Sequence, residues 1–173
     1  MIKAVFAGMC FAAACALPQA HAKSPLEVQE GASLREATLR GLNGPARKLS
    51  QYRGKPLLIN VWASWCGPCK QEMGSLERLA WRDEAKKFNI IGISTDDFEG
   101  AALNYLKRSN ATITHYIDNA LEMENMLGAD RLPLTVLVDA KGKVVGKFYG
   151  AREWDDPQAL QWIQSKLTAP PRP

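Results

Sequence analysis

Cys66 and Cys69 are separated only by Gly67 and Pro68, and a dithiol at that spacing can open and close a disulfide within a single helical turn. The apolar run Leu57, Leu58, Ile59, Val61 follows Gly54-Lys55-Pro56 and reads as a buried strand, while the residues after Pro68 have helical periodicity. The pair therefore stands at a strand-to-helix junction. Unpaired N–H groups and the helix dipole at that junction favour a thiolate, so Cys66 is expected to ionise below the free thiol value of ~8.5 and act as the nucleophile. Cys69, on the same helical face but pointing inward, is the natural resolving thiol. Pro68 suits an opening turn that needs no N–H, and Gly67 leaves the nucleophile uncrowded.

Other chemistries use the same residues. A structural zinc site needs four ligands, and once a leader is removed only Cys66, Cys69 and His115 remain. A bridge closing so short a loop would constrain little of the unfolded chain, which argues against a purely structural disulfide. A dithiol holding copper(I) stays open, because soft thiolates suit that ion. Met123 and Met126 fall at helical spacing and are read as core filling rather than as a methionine metal box.

The elements that must position the pair follow from the rest of the chain. Its 173 residues, 46% hydrophobic, suit one domain with a real core. The net charge of +4 has no basic block behind it, and nothing suggests nucleic-acid binding. Met1-Ile2-Lys3, the apolar stretch Ala4–Leu17 and Ala20-His21-Ala22 have the parts of a secretory signal peptide, with cleavage expected after Ala22. An uncleaved anchor, or a lipoprotein signal acylated at Cys15, is the alternative. The partition read from the sequence is a leader over 1–22, a loose arm over 23–32, an α/β domain over 33–167 and a disordered tail over 168–173.

Within the domain, residues 34–42 and 46–49 flank Asn43-Gly44 as a β-hairpin, and residues 50–53 make one helical turn ended by Gly54. After the strand over 57–63, the helix opened by Cys66 carries Met73, Leu76, Leu79 and Ala80 towards Phe88. A strand over 89–94, a helix over 99–109, a strand over 111–118 and a short helix over 121–128 follow. Leu134–Asp139 and Val144–Tyr149 form an antiparallel pair, and Asp156-Pro157 caps a last helix. Trp62 is expected in the core, Trp65 as an apolar surface beside Cys66, and Trp81, Trp154 and Trp162 as packing positions. His115 falls in a strand away from the motif.

Trp65-Cys66-Gly67-Pro68-Cys69, preceded by Asn60-Val61-Trp62-Ala63-Ser64, resembles a thioredoxin-type active site, and Lys70-Gln71-Glu72-Met73 extends the likeness to the extracytoplasmic TlpA/ResA-like branch of the thioredoxin superfamily. That resemblance implies a thioredoxin-like α/β fold: a central mixed sheet flanked by helices, an N-terminal hairpin and an inserted helix-strand pair. It implies a cis Pro133, with the backbone of Leu132 offered to a substrate peptide and Gly150 close by, so that Trp65, Gly67, Pro68, Leu132, Pro133 and Gly150 form the substrate surface. Branch members often carry a proline where Gly74 stands. Asn60 occupies the place of a buried acid in cytoplasmic thioredoxins, and Glu72 matches an acid of the branch. Glu72 is expected either to serve Cys69 as a proton acceptor at the active-site surface, directly or through water, or to be a solvated residue paired with a neighbouring base.

The activity so implied is thiol–disulfide exchange in the periplasm, in the reducing direction, with no cofactor beyond the Cys66–Cys69 disulfide. Its substrates would be protein disulfides, for example in cytochrome c or copper-protein maturation. A membrane electron donor of the DsbD/CcdA type would supply the monomeric protein. An oxidant or isomerase is the alternative direction.

Overall fold

Six consecutive buried residues, Leu57–Trp62, form the strand around which the sheet is built. A computed structural model describes residues 25–169. The leader expected over 1–22, with Cys15 and the Ala22 cleavage site, and most of the expected tail lie outside the described residues. In chain order the elements are β1 (Thr38–Gly41), β2 (Arg47–Lys48), β3 (Leu57–Trp62), α1 (Gly67–Ala80), β4 (Asn89–Ser94), α2 (Glu99–Ser109), β5 (Thr114–Ile117), α3 (Glu122–Leu127), β6 (Leu134–Val138), β7 (Val144–Tyr149) and α4 (Pro157–Thr168). They make a mixed seven-stranded sheet in the order β2-β1-β5-β4-β3-β6-β7. The neighbours β3, β4 and β5 run parallel, β6 and β7 return antiparallel beside β3, and the β1–β2 hairpin closes the other edge. This is a thioredoxin-like α/β fold.

The two-residue period of β3 divides the core and places the site. Leu57, Ile59 and Val61 pack with Ile91, Ile93, Val136 and α3 residues Met123, Met126 and Leu127 on one face. Leu58 and Trp62 point to the opposite face, against α1, α4 and α2. Asn60 belongs to this second face, so the only polar side chain of β3 is aimed at the helix that begins with the cysteines.

Several boundaries differ from the sequence reading, each for a local reason. The helix opened by Cys66 stops at Ala80, and a separate 3-10 turn, Asp83–Lys87, follows. Arg82 between them is extended and donates to the Asp155 carbonyl at 2.8 Å. The break still lets Leu76, Leu79, Ala85 and Phe88 share one apolar cluster, but it turns Trp81 out to 75% exposure rather than into the core. Gly74 is an exposed position inside an uninterrupted α1. The strand expected from 111 begins only at Thr114, because the Glu77 carboxylate takes the N–H groups of Thr112 and Ile113. Asp118 leaves that strand to accept from the Glu124 N–H in α3. The last helix is capped as expected, Asp156 accepting from Ala159 N at 2.7 Å, and it takes in Thr168.

The stretch read as a loose arm is docked from residue 25 onward. Val28 is buried and its N–H donates to the Met126 carbonyl at 2.8 Å, while Gly31 N–H donates to Val144 O at 2.8 Å. Lys147 Nζ lies 2.6 Å from Glu27 Oε1 and 2.7 Å from the Leu127 carbonyl, with both charged side chains under a tenth exposed. Polar composition misled here because its charges are consumed by the body of the domain: Glu27 in the buried pair with Lys147, and Glu30 by the Lys147 N–H and Lys166. Glu27→Ala, which leaves Lys147 buried and unpaired, is expected to cost about 3 kcal/mol in urea denaturation, and the double variant Glu27→Ala/Lys147→Met to recover most of it.

Candidate active site

Cys66 is the N-cap of α1 and Cys69 lies in its first turn, with the sulfurs joined at 2.04 Å and the Cα atoms 5.3 Å apart. Pro68 occupies the opening turn, where no N–H is needed. The Cys69 N–H donates to Cys66 Sγ at 3.2 Å, so a helix-terminal donor already points at the sulfur that would carry negative charge. Cys69 is 1% exposed and packs with Trp62, Met73 and Tyr105, whereas Trp65, Gly67 and Pro68 around Cys66 are exposed. Cys66 itself is 5% exposed, so the contrast lies in the surroundings: Cys66 borders the exposed Trp65, Gly67 and Pro68, and Cys69 borders the apolar cluster.

The mouth of β6 completes this end of the sheet. The Leu132–Pro133 peptide bond is cis. Leu132 is half-buried and touches the cluster that contains both cysteines. Gly150, at φ +92°, donates its N–H to the Pro133 carbonyl at 2.9 Å, which ties the end of β7 to the same point. Nothing lies within 4 Å of the position a Gly150 Cβ would take, so the backbone beside Pro133 is open.

Glu72 departs from both sequence readings. It is neither at the surface nor paired with a base: at 1% exposure it lies on the buried side of α1, one turn beyond Cys69. Its carboxylate accepts from Asn60 Nδ2 at 2.7 Å, Trp154 Nε1 at 2.9 Å and Arg152 N at 3.2 Å. All three donors are neutral. Burial pushes its pKa above the usual carboxylate range, and the three hydrogen bonds only partly oppose that rise. Asn60 also donates to Thr135 Oγ1 at 3.1 Å, while its own Oδ1 is a buried acceptor that no donor reaches.

Residues 29–163 match the family model described as Redoxin. The chain belongs to the redoxin family. This redoxin is 28% identical over 142 residues to the thiol-disulfide oxidoreductase ResA of Bacillus cereus, covering 82% of each chain. It is 29% identical over 135 residues to the thioredoxin-like protein YneN of Bacillus subtilis, covering 74% of this chain and 76% of that one. Among solved structures, a Chlorobium tepidum protein assigned as thiol:disulfide interchange protein DsbE superposes with a TM-score of 0.73 at 27% identity, over 80% of this chain and 98% of that one.

With its Cys66–Cys69 disulfide at a helix N-terminus, the redoxin is a thiol–disulfide oxidoreductase. Its arrangement offers a buried sulfur bordered by exposed residues, a more deeply buried second sulfur and a buried carboxyl group able to hold a proton on the same helix. Trp154 and Arg152, which fix Glu72, were read from the sequence as packing and not at all, respectively. They reach it from 82 and 80 residues down the chain, and no local spacing signals that contact. His115 is a β5 residue as expected, but its ring lies 5.4 Å from that of Trp62, behind the cysteines. No described helix is long and apolar enough to cross a membrane.

Proposed function

We propose that this redoxin is an exported reductant of protein disulfides. The observation that carries the reading is the buried Glu72 carboxyl group one turn below Cys69, at the site whose cysteine cluster is packed by Leu132 next to the cis-Pro133. Cys66 thiolate attacks one sulfur of a substrate disulfide, that bond breaks, and one substrate sulfur leaves as thiolate. Glu72 takes the Cys69 proton, Cys69 attacks Cys66 Sγ, and the second substrate thiolate departs. Two electrons have then passed to the substrate and the Cys66–Cys69 bond has re-formed. A membrane-bound dithiol donor of the DsbD/CcdA type restores the reduced pair.

Trp65, Gly67, Pro68 and Gly150 supply the surface for the incoming polypeptide, and the backbone of Leu132 beside Pro133 offers an edge for β-type pairing. On this reading the leader expected over 1–22 carries the enzyme out of the cytoplasm, where cysteines of cytochrome c or copper-protein precursors are candidate substrates. Cys69→Ser, reduced and mixed with a small disulfide-bonded protein, is expected to stop at a covalent one-to-one adduct through Cys66, read by mass spectrometry. Cys66→Ser should give none; an adduct through Cys69 would reverse the assigned roles.

A further inference from the structure

The turn that launches Cys66 is held from the neighbouring strand. At the carboxyl end of β4, Asp96 is 2% exposed, and both of its carboxylate oxygens are spent largely on one residue. Oδ2 accepts from Ser64 N at 2.9 Å and Oδ1 from Ser64 Oγ at 2.7 Å. Oδ2 also accepts from Ser94 Oγ at 2.7 Å, and Ser94 Oγ in turn receives the Asp96 N–H at 3.2 Å. Two residues either side of Ser64, Trp62 O accepts from Thr95 N–H at 2.9 Å, and Cys66 N–H closes back on Ala63 O at 3.1 Å. The segment 62–66 is thus bonded at Trp62, Ser64 and Cys66 just before the helix begins.

We propose that Asp96 is a positioning residue for the nucleophile, gripping Ser64 with both carboxylate oxygens so that Cys66 is held in the N-cap geometry that stabilises its thiolate. A buried carboxylate is a costly way to fasten two strands that already share a full parallel ladder, Leu57–Trp62 against Asn89–Ser94. What it adds is a planar pair of acceptors matched to one N–H and one hydroxyl of a single residue, which a carboxamide with one oxygen cannot reproduce. Ser64 is the last residue before Trp65 and Cys66. Its orientation sets whether Cys66 Sγ meets the Cys69 N–H, now 3.2 Å away, when the disulfide opens. The inference rests on Cys66 being the nucleophile.

The test uses the reduced protein and iodoacetamide, whose reaction with Cys66 needs no substrate and no assumption about redox direction. Ser64→Ala removes one arm of the grip and Asp96→Glu shifts the carboxylate, and both keep the buried negative charge. Each is expected to raise the Cys66 pKa read from the pH profile of alkylation, Asp96→Glu by about one unit, a roughly tenfold loss of reactivity at neutral pH. The rate at high pH, where the thiol is fully ionised, stays within about twofold of the parent. Ser64→Thr, which keeps the hydroxyl, restores the parent profile. Lower melting temperatures in Ser64→Ala and Asp96→Glu with an unmoved alkylation profile would make Asp96 a structural fastener and overturn the proposal. Alkylation that survives Cys66→Ser would overturn the nucleophile assignment beneath it.

Discussion

Replacing Glu72 by Gln is expected to slow turnover about a hundredfold while leaving the fold at least as stable. The two effects have opposite signs because they come from the same buried group. In the reaction, Cys69 must lose a proton inside an apolar cluster, and Glu72 is the carboxyl group one helical turn away with neutral donors around it. Loss of a positioned base there corresponds to about 2.7 kcal/mol of barrier. In the fold, burial raises the Glu72 pKa above 4.5, so the unfolded chain gives up that proton first as pH rises. The stability owed to the protonated group is present below 4.5 and lost as pH rises through the folded pKa. Gln has no such loss, and with the Asn60 carboxamide turned over, its new nitrogen in place of Oε1 can donate to the otherwise unpartnered Asn60 Oδ1. Stopped-flow turnover would show the mixed disulfide accumulating in the variant, and denaturation at neutral pH would show undiminished stability. Turnover within about twofold of the parent would remove Glu72 from the mechanism.

Gly92→Ala should be among the most damaging single methyl additions in the molecule. Gly92 sits mid-strand in β4, paired with Asn60 of β3 and His115 of β5. A Cβ there would lie 2.0 Å from His115 Nδ1, 2.4 Å from His115 Cε1 and 3.0 Å from Trp62 Nε1. His115 and Trp62 are fully buried against the cluster behind the cysteines, so neither ring can swing to solvent. Overpacking of this kind costs about 3 kcal/mol or more, a fall in melting temperature of about 6–12 °C for a domain of this size. Adding His115→Ala to Gly92→Ala should recover most of the loss, which thermal melts of the four proteins in the cycle would reveal. The same ring sets an acid limit. Burial, with neither ring nitrogen hydrogen-bonded, holds His115 at a pKa of about 3 against 6.5 when free. The unfolded chain therefore takes up the proton first, and stability is lost as pH falls from 6.5 towards 3. That loss opposes the gain from Glu72 at the acid end.

Much of the scaffold could be read from residue patterns because its elements are bounded by their own chemistry. The strand at Asn89–Ser94 and the helix at Glu99–Ser109 fall where their apolar spacing put them. The cis bond before Pro133 followed from the resemblance, and the cysteine junction from the apolar strand and the proline after it. What escaped the sequence reading depends on partners remote in the chain. Glu72 has the look of a solvated helix residue until Trp154 and Arg152 close over it. The segment at 25–32 looks like a free arm until Lys147 meets Glu27. Trp81 looks like core until Arg82 turns the chain towards Asp155.

A reductant must give its electrons away, and this dithiol is expected to do so. Equilibrating the mature protein against defined thiol/disulfide buffers and quantifying reduced Cys66–Cys69 measures that tendency directly. The expected potential is near that of thioredoxin, about −270 mV, which makes the enzyme a reductant dependent on an electron supply. A value of about −120 mV, typical of a strong disulfide donor, would rule out a reductant and make the same site an oxidant.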